Sequence, residues 1–483
     1  MILDSGQAPS RARASVAKLS ALLGGALYLF IAFVVVLREQ NGMRPDFIAA
    51  TVVATLPLCL FFAIRFPLIF PFGLYVLLVP FDSLLQVSGG ATIVRIIAGA
   101  TAATMILHTI ILRRAFPMRR PWFAWLAMIL YIAASLLWTS DLQGGSQVTV
   151  AALQLFLFMT VLAAYPATRA EFKLALGIVV VCGALSGCYA IHQYLTGNVT
   201  NESAYRVELT AGKGVLLDYN YYGGSFVLPI ALALYFAFYG RAAWSRYASG
   251  GSALLMLVGL LLTGSRGAFI AAVAILLYFA LRSRHKVKVF GFIALAGIVS
   301  AFFPSVYIRF ANDPSNQQGS GSGRTFIWET GLHSLRDHWL FGSGIGSYEN
   351  TYDRNFLDVY QAAFQGWSRP SHSLIVGSLS ELGVVGLVLV LSAWFVSFRE
   401  LRKVSATSEW FGLRLAFEGT IVALFALALT IDPTYVKYIW LAQSLSLMFL
   451  NQALPAGEDR AVRLRRRTTF VTQLARGRPA RAK

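Results

Sequence analysis

The sequence predicts an all-α, polytopic integral membrane protein with about 14 transmembrane helices and one large outer loop that contains amphipathic helices. Of its 483 residues, 57% are hydrophobic and 13% are charged, whereas a soluble domain carries about 25% charged residues. The mean hydropathy is +0.63. Apolar runs of roughly 17 to 25 residues, the length that crosses a hydrocarbon core of about 30 Å, recur almost to the end of the chain. These observations exclude a soluble enzyme and a nucleic-acid-binding domain.

The apolar runs divide the chain into five parts. A basic segment (1–18) precedes eleven predicted helices within 19–303, a long loop (304–372) follows, three more helices lie within 373–450, and a basic tail (451–483) ends the chain. The predicted spans are 19–37, 47–64, 66–84, 91–112, 122–138, 148–165, 174–195, 219–239, 250–263, 268–281, 289–303, 373–398, 415–429 and 436–450. The two short spans on either side of Gly264–Gly267 are also compatible with one broken or re-entrant helix.

Positive charges predict the orientation of the chain in the membrane. There are 41 lysines and arginines against 22 acidic residues, and with a cytoplasmic N-terminus most of the basic residues fall on the cytoplasmic side. The two densest internal clusters on that side are Arg113, Arg114, Arg119 and Arg120, and Arg282, Arg284, Lys286 and Lys288. Both termini are therefore predicted to be cytoplasmic. The basic tail is interpreted as an anchor on anionic lipid, with docking of a partner as the alternative.

Two predicted outer segments are long enough to form a site. Residues 196–218 run into the string DYNYYGG, and the larger segment extends from 304 to 372. In the larger segment, a Gly/Ser-rich stretch that closes at Arg324 predicts a flexible turn. Apolar residues then recur with helical spacing, namely Trp328, Leu332, Leu335 and Trp339. This spacing predicts one amphipathic helix that lies along the membrane surface over a cavity.

Three basic residues at the predicted outer face are candidates for chemistry, because charge beside hydrocarbon is costly and usually has a partner or a function. Arg266, between Gly264 and Gly267, is either an arginine that snorkels to the interface or a guanidinium that holds a phosphate. Arg324, taken alone, is compatible with a solvated loop arginine. His372 stands at the mouth of a span, where it either begins a helix or accepts a proton from a substrate hydroxyl.

Other charged residues within predicted spans are assigned structural roles. Glu381 lies nine residues after His372, about 13 Å deeper and half a turn around the helix, so the two side chains do not share a face. We expect Glu381 to satisfy a polar contact with a neighbouring span, and Arg95 and Glu418 to make packing or ion-pair contacts. The three cysteines have no metal-ligand spacing, so no metal site is predicted.

Four strings in the second half of the chain resemble, in their order, those of O-antigen ligases and Wzy-type polysaccharide polymerases, which are bacterial membrane glycosyltransferases that take sugar from a polyprenyl-diphosphate carrier. The first string is YRVELTAGKGVLLDYNYYGG with Arg206, Asp218 and Asn220, and the second is LLLTGSRGAF with Arg266. The third is GRTFIWETGLHSLRDHWLFGSGIGSY with Arg324, and the fourth is HSLIVGSLSELGVVG with His372 and Glu381. The strings lie within residues 200–390, and their common placement at the outer face makes the resemblance specific.

The resemblance implies a reaction and roles for these residues. The arginines that match Arg266 and Arg324 hold the diphosphate of the lipid donor, and the histidine that matches His372 acts as general base on an acceptor hydroxyl, which attacks the anomeric carbon with inversion. The substrate-binding candidates from the first string are Arg206, Asp218 and Asn220. No cofactor is implied, and the outer segments contain no D-x-D pair for a metal. The resemblance thus implies a metal-independent inverting glycosyltransferase.

The resemblance also implies the partners, and the architecture agrees with the implied donor. No outer segment reaches the length of about 100 residues that a nucleotide-sugar-binding domain needs, so the donor is expected to be a polyprenyl-diphosphate-linked oligosaccharide that is already activated. The acceptor is a glycan or a lipid A core, anionic membrane lipids contact the basic loops, and polysaccharide export or chain-length proteins are further candidates; no nucleic acid is expected. The implied location is the bacterial inner membrane, with a periplasmic active site that serves O-antigen, lipopolysaccharide or exopolysaccharide biosynthesis.

Two alternatives stay open at this point. The predicted spans exceed the roughly twelve that are usual for ligases, which favours a polymerase over a ligase. A polysaccharide or lipid transporter or flippase would explain the spans and the positive charge as well. A transporter, however, typically has internal repeats with broken helices near the midplane, and the sequence shows no such repeats.

Overall fold

A computed structural model describes residues 61–63, 65–85, 92–197, 199–200, 206–207, 210–211, 215–216, 218–303, 324–359 and 370–454. The predicted span 19–37, nearly all of 47–64, the N-terminal segment 1–18 and the tail from 455 onwards lie outside the described residues. The same holds for 304–323 and 360–369 of the larger outer segment.

The described chain is helical apart from two minimal β-ladders, in agreement with the predicted all-α class. The helices are α1 Phe72–Leu78, continued by a 3₁₀ helix Val79–Leu84, α2 Ile93–Leu112, α3 Arg120–Ser135, α4 Leu142–Ala164, α5 Arg169–Leu195, α6 Tyr219–Ser225, α7 Val227–Tyr239, α8 Ala243–Leu262, α9 Arg266–Arg282, α10 Lys286–Ala301, α11 Arg324–His333, α12 Leu335–His338, α13 Tyr348–Val359, α14 Leu374–Leu401, α15 Phe411–Ala428 and α16 Lys437–Ala453. Between α5 and α6, β1 (Val199–Thr200) pairs antiparallel with β2 (Arg206–Val207), and β3 (Thr210–Ala211) with β4 (Val215–Leu216).

Seven helical segments of the described chain are long and apolar enough to cross a membrane: α2, α4, α5, α6 with α7, α8, α14 and α15. Helices also lie at the other predicted spans from residue 66 onwards, but α3, α9, α10 and α16 have only 16 or 17 residues. At about 1.5 Å per residue such a helix falls short of a core of about 30 Å. The chain is therefore a multi-pass membrane protein, but the count of about 14 spans is not confirmed. Around Gly264, two separate helices, α8 and α9, replace the single broken helix that the sequence also allowed.

The bundle is built around α7 and α15. In each of the two candidate spans that contain them, 78% of the apolar window is buried. Helix α7 packs on α8 and α15, and α15 also packs on α9. The contact between α5 and α8 depends on small residues, since a Cβ on Gly183 would lie 2.6 Å from Met256 Sδ and one on Gly259 would lie 2.9 Å from Gly187 Cα. Small residues of this kind let membrane helices approach closely.

A buried ion pair closes within α15, near the end that the charge pattern predicts to be cytoplasmic. Arg414 Nε donates to Glu418 Oε1 at 2.8 Å, and Arg414 Nη1 donates to Val404 O at 2.6 Å. Tyr278 Oη donates to the other carboxylate oxygen of Glu418 at 2.7 Å. Both charges are therefore paired and hydrogen-bonded, as buried charges must be. The expected ion-pair role of Glu418 is confirmed.

The outer segment from 324 to 359 forms three helices, and the predicted single amphipathic helix is wrong in its length. Helix α11 ends one residue before Ser334, and α12 begins one residue after it. Ser334 Oγ donates back to Gly331 O at 2.7 Å and lies 3.1 Å from Ser380 Oγ of α14. A serine hydroxyl that bonds to the backbone in this way competes with helix continuation.

The buried face of α11 also differs from the predicted stripe. Ile327 is buried, whereas Leu332 is 41% exposed and Trp339 is 57% exposed. The reason is the packing of α13, because Tyr348 Oη donates to Ile327 O at 2.6 Å. A Cβ on Gly331 would lie 2.4 Å from the same Tyr348 hydroxyl, so glycine allows the two helices to meet. Helix α11 therefore turns toward α13 and α14.

Residues 342–347, the string GSGIGS, pack between residues 139–145, at the start of α4, and helix α14. We call them the glycine wedge. The glycines with positive φ are Gly342 at 70°, Gly344 at 92° and Gly346 at 75°. Gly344 N donates to Glu381 O at 2.8 Å on one side. On the other side, a Cβ on Gly344 would lie 2.2 Å from Thr139 Cα. Glycine is needed here both for its backbone freedom and for the close approach.

Candidate functional site

Arg266 is the first residue of α9, and a short polar network fixes this helix end. Ser265 caps the helix, since its Oγ accepts from Ala268 N at 3.2 Å and donates to Asn220 Oδ1 at 2.6 Å. Gly264, with φ of 60°, makes the tight turn before the cap. The half-buried Arg266 therefore stands at a helix N-terminus, where the partial positive charge of the backbone favours an anion.

Asp218 and Asn220 hold the neighbouring helix end. Asp218 caps α6, because its Oδ1 accepts from Asn220 N at 2.7 Å and from Tyr221 N at 3.0 Å. Asn220 in turn accepts from Ser265, so α6 and α9 begin next to each other. Both predicted substrate-binding residues thus have a capping or positioning task, and contact with substrate stays a prediction. Arg206 lies in β2, but its side chain lies outside the described part of the chain.

Arg324 joins this group from the outer segment. It is the first residue of α11 and is half-buried. Burial lowers the pKa of the Arg324 guanidinium, nearby Arg266 lowers it further, and Asp218 opposes the shift. Each of these residues is therefore within electrostatic reach of Arg324, and we call Arg266, Arg324 and Asp218 the arginine group. Arginine stays protonated at neutral pH even when its pKa is lowered, so the group carries two positive charges against one negative charge.

His372 immediately precedes α14 and adopts a left-handed backbone conformation, with φ of 47°. Residues other than glycine rarely adopt this conformation, and such strain is concentrated at functional sites. The flanking serines hold the turn: Ser371 O accepts from Trp328 Nε1 at 3.0 Å, and Ser373 Oγ accepts from Val376 N at 3.4 Å. The histidine is thereby fixed at the junction of α11 and α14.

Asp432 is a functional candidate that was not singled out from the sequence. It lies between α15 and α16, and its Oδ1 accepts from Thr434 N at 2.9 Å. Burial raises the pKa of the Asp432 carboxyl, whereas hydrogen bonds from Thr434 and the charge of His372 act to lower it. A Cβ on Gly377, in the first turn of α14, would lie 3.7 Å from Asp432 Oδ2. Asp432 and His372 therefore interact, and we call them the histidine pair.

The turn from 430 to 435 connects the arginine group with the histidine pair. A Cβ on Gly267 would lie 2.2 Å from Thr430 Oγ1, so the first turn of α9 packs directly on this turn. At the other end of the turn, partial burial raises the pKa of Tyr435, and nearby carboxylates that include Asp432 and Asp218 raise it further. The same phenol is thus close to an acid from each group, which means that both groups lie in one region of the fold.

Glu381 supports this region from within α14. Its Oε1 accepts from Tyr348 N, the first residue of α13, at 3.1 Å, and its carbonyl accepts from the glycine wedge. The expected polar contact is therefore made, but with an outer helix and not with a neighbouring span. Two residues later, Gly383 has φ of 68° and bends α14.

The arrangement has the parts of a group-transfer site for an anionic leaving group. A guanidinium at the N-terminus of α9, with a second guanidinium nearby, suits a phosphate or diphosphate, and an imidazole beside a carboxylate suits proton abstraction from a hydroxyl. Among the described residues, no three His, Cys, Asp or Glu side chains are arranged to hold a metal ion. Metal independence of the reaction stays a prediction.

Comparison with known proteins identifies part of this region. Residues 251–391 match the family model Wzy_C, described as O-antigen ligase. The match begins in α8 and ends in α14, so it contains Arg266, Arg324, His372 and Glu381. Asp432 follows the matched range. No match to the chain is found among curated proteins.

Proposed function

We propose that the chain is a membrane glycosyltransferase of the O-antigen ligase type, which takes an oligosaccharide from a polyprenyl-diphosphate carrier at the periplasmic face of the bacterial inner membrane. The match of residues 251–391 to the O-antigen ligase family model supports this proposal. One observation carries the proposal. The arginine group has two cations, and the histidine pair has an imidazole beside a carboxylate; the turn 430–435 joins the two groups.

The arginine group would hold the donor diphosphate. As the bond between the anomeric carbon and the phosphate oxygen breaks, that oxygen gains negative charge, and Arg266 and Arg324 stabilise it through charge-assisted hydrogen bonds. The N-terminus of α9 adds its partial positive charge at the same place. The leaving group is the polyprenyl diphosphate, and these cations replace the need for a bound metal in the proposed reaction.

The histidine pair would activate the acceptor. A neutral His372 takes the proton of an acceptor sugar hydroxyl while the oxygen attacks the anomeric carbon on the face opposite the diphosphate, which inverts the configuration. The imidazole becomes positively charged in this step. Asp432 is proposed as a positioning residue, because a neighbouring carboxylate stabilises the imidazolium and orients the ring.

The acceptor distinguishes a polymerase from a ligase. The preference for a polymerase came from a count of about 14 spans, and that count is not confirmed. The proposal therefore covers both outcomes, with another repeat unit as the acceptor in one and a lipid A core in the other. A transporter is less well supported for two reasons. The buried charges Arg414 and Glu418 already have hydrogen-bond partners within the protein and so are not free to bind a transported ion or substrate. The candidate residues also lie at helix ends, whereas transporter sites lie near the middle of the membrane.

The test is transfer by the purified full-length protein in nanodiscs. A polyprenyl-diphosphate oligosaccharide is supplied without metal and in the presence of a chelator, and products are read by mass spectrometry. We expect longer glycans, or glycosylated lipid A core when that acceptor is added. His372→Ala should reduce the rate by about 100-fold or more, and Arg266→Ala by about 100-fold.

Matched controls are His338→Ala, which removes an exposed histidine of the same outer segment, and Arg246→Ala in α8. Both should retain the wild-type rate. The proposal fails if the wild type transfers sugar to neither acceptor, or if His372→Ala is as active as His338→Ala. Passage of intact lipid-linked oligosaccharide across the bilayer, unaffected by His372→Ala, would favour the transporter.

A further inference from the structure

A cavity of about 730 Å³ lies against α2 and α4 and ends beside the arginine group. This volume is in the range of sites that hold small molecules and cofactors. The apolar wall comes from one side of each helix, mainly Ala98, Ala102 and Ile106 of α2 and Leu155, Phe158 and Val161 of α4. From residue 95 to residue 106, α2 rises by about 16 Å. The cavity is therefore a groove that runs about halfway into the membrane, and we call it the α2–α4 groove.

Small residues open the groove along α2. A Cβ added to Gly99 would meet no atom within 4 Å, and the small residues Ala98 and Ala102 line the same wall. In the part of the chain that the structure describes, α2 is also the least buried candidate span, with 17% of its window buried. A narrow apolar groove on an exposed helix is suited to a flexible hydrocarbon chain that arrives from the bilayer.

The outer end of the groove is polar and carries a cation. Lys437 pairs with Asp82, whose Oδ1 also accepts from Thr92 Oγ1 at 2.7 Å. Arg95 lines the groove with an exposed side chain, and no hydrogen bond or ion pair ties its guanidinium to the described residues. Tyr221 also lines this end, but its hydroxyl is shielded by the surrounding protein. Arg95 is thus the cation at this end of the groove that has no anionic partner among the described residues.

The polar end of the groove is continuous with the proposed transfer site. Asp218 lines the groove and belongs to the arginine group through its effect on Arg324. Tyr435 lines the groove as well and lies near Asp432. A molecule whose apolar part fills the groove would therefore place its polar end next to the two arginines.

We propose that the α2–α4 groove binds the polyprenyl chain of the donor, which enters from the bilayer, and that Arg95 binds the phosphate nearer to that chain. Arg266 and Arg324 then hold the phosphate that bears the sugar. This inference rests on the proposed function and adds to it the location of the lipid. It also revises the role of Arg95, which the sequence assigned to packing or an ion pair.

The other occupant to consider is an apolar helix of this chain, since the predicted spans 19–37 and 47–64 lie outside the described residues. Such helices could offer Arg95 only the carboxylates of the short predicted loop between them, Glu39 and Asp46, whereas apolar residues packed over the guanidinium would leave its charge costly. A lipid diphosphate supplies both the anion and the apolar chain. Charge complementarity therefore favours the lipid.

Photolabelling locates the chain independently of catalysis. The probe is a polyprenyl diphosphate with a diazirine in the isoprene unit nearest the phosphate, added to the full-length protein in nanodiscs and followed by peptide mass spectrometry. We expect the label on peptides from 93–112 and 142–164, and competition by unlabelled polyprenyl diphosphate. Label on other spans with these two peptides unlabelled, including label confined to 19–64, would overturn the proposal.

A pair of neighbouring alanines gives a matched functional test. Ala102 lines the groove, whereas the adjacent Ala103 is exposed and does not line it. Ala102→Trp should raise KM for the long-chain donor by about tenfold or more, because the indole occupies space in the groove that the polyprenyl chain would fill. It should leave KM for a donor with two isoprene units unchanged. Ala103→Trp should leave both unchanged. Equal KM values for the two variants with the long-chain donor refute the groove assignment while the transferase assignment stands.

The cation at the groove end gives the last measurement. Arg95→Ala should raise KM for both donors by about tenfold, because a charge-assisted contact to phosphate is lost, with kcat little changed. Arg95→Lys should recover part of the affinity. If Arg95→Ala has the same KM as the wild type, Arg95 does not bind the phosphate. If the wild type itself transfers no sugar, the proposed function fails, and photolabelling alone decides whether the groove binds the lipid.

Discussion

The contact between Gly267 and Thr430 offers a sharp test of the site geometry. Gly267 lies in the first turn of α9, next to Arg266, and Thr430 begins the turn that carries Asp432. In Gly267→Ala the new methyl would lie 2.2 Å from Thr430 Oγ1 and 3.2 Å from Thr430 Cβ, whereas ordinary contacts begin near 3.4 Å. The added atom therefore pushes the turn 430–435 away from α9.

The size of the effect follows from that overlap. The turn must shift by about 1 Å, and a misplacement of about 1 Å at a catalytic group can reduce the rate by about 100-fold. Alanine otherwise favours a helix over glycine by about 0.5–1 kcal/mol, so thermal unfolding should show no large loss of stability. We therefore expect kcat/KM to fall by about 10- to 100-fold while the fold is retained.

The assay is sugar transfer by variants with a helix control and a compensating change. Gly251→Ala in α8 meets no atom within 4 Å and should behave as the wild type. Thr430→Ala removes the hydroxyl that the new methyl meets, so the double variant Gly267→Ala/Thr430→Ala should recover much of the lost rate. Wild-type activity in Gly267→Ala, or no recovery in the double variant, would refute the idea that this packing positions Asp432.

Three further outcomes test other contacts. Burial raises the pKa of Asp432, so folding favours its protonated form, and this contribution to stability is lost as the pH rises through the raised pKa. Asp432→Asn should therefore unfold at the same temperature as the wild type, or a higher one, at neutral pH. Its kcat should be lower, and the plot of kcat against pH should lose the decrease at low pH that protonation of Asp432 causes. Glu381→Ala should lower the unfolding temperature, because the buried Tyr348 N–H loses its acceptor at a cost of about 1–3 kcal/mol, whereas Glu381→Gln keeps the acceptor and should resemble the wild type. Glu418→Leu should destabilise the protein by about 3–5 kcal/mol, and adding Arg414→Met should recover part of that loss.

Local spacing was enough to predict most helices of the described chain. Long apolar runs predict helices because each crosses the bilayer as a unit, and α2, α4, α5, α8, α14 and α15 lie where those runs predict them. Arg266, Arg324 and Asp218 were singled out from separate strings and lie within electrostatic reach in the fold. Charge beside an apolar sequence was the signal for Arg266 and Arg324, whereas Asp218 was singled out by the family resemblance, and the binding of substrate by all three stays a prediction.

Features that depend on packing between distant segments were not predictable in this way. Asp432 lies 60 residues from His372, and only the docking of the 430–435 turn on α14 brings the two together. The periodicity of the outer segment predicted one helix that continues through Ser334. In the structure, the hydroxyl of Ser334 bonds to the backbone where α11 ends, and the packing of Tyr348 on α11 buries a different face. An acid at the outer end of an apolar run, as in DPT at Asp432, is the signal that could have been used.

The glycine wedge has a consequence for exchanging parts between related enzymes. Its backbone carbonyls accept two hydrogen bonds from the turn before α4. Ser140 N donates to Ser343 O at 3.1 Å, and Thr139 Oγ1 donates to Ile345 O at 2.9 Å. It is bonded equally to α14 through Glu381. A chimera that imports the outer segment alone would join two surfaces with no space for a mismatched side chain. Residues 139–145, 342–347 and 380–383 are therefore one transplantable unit, and a chimera should keep the fold only when all three are moved together.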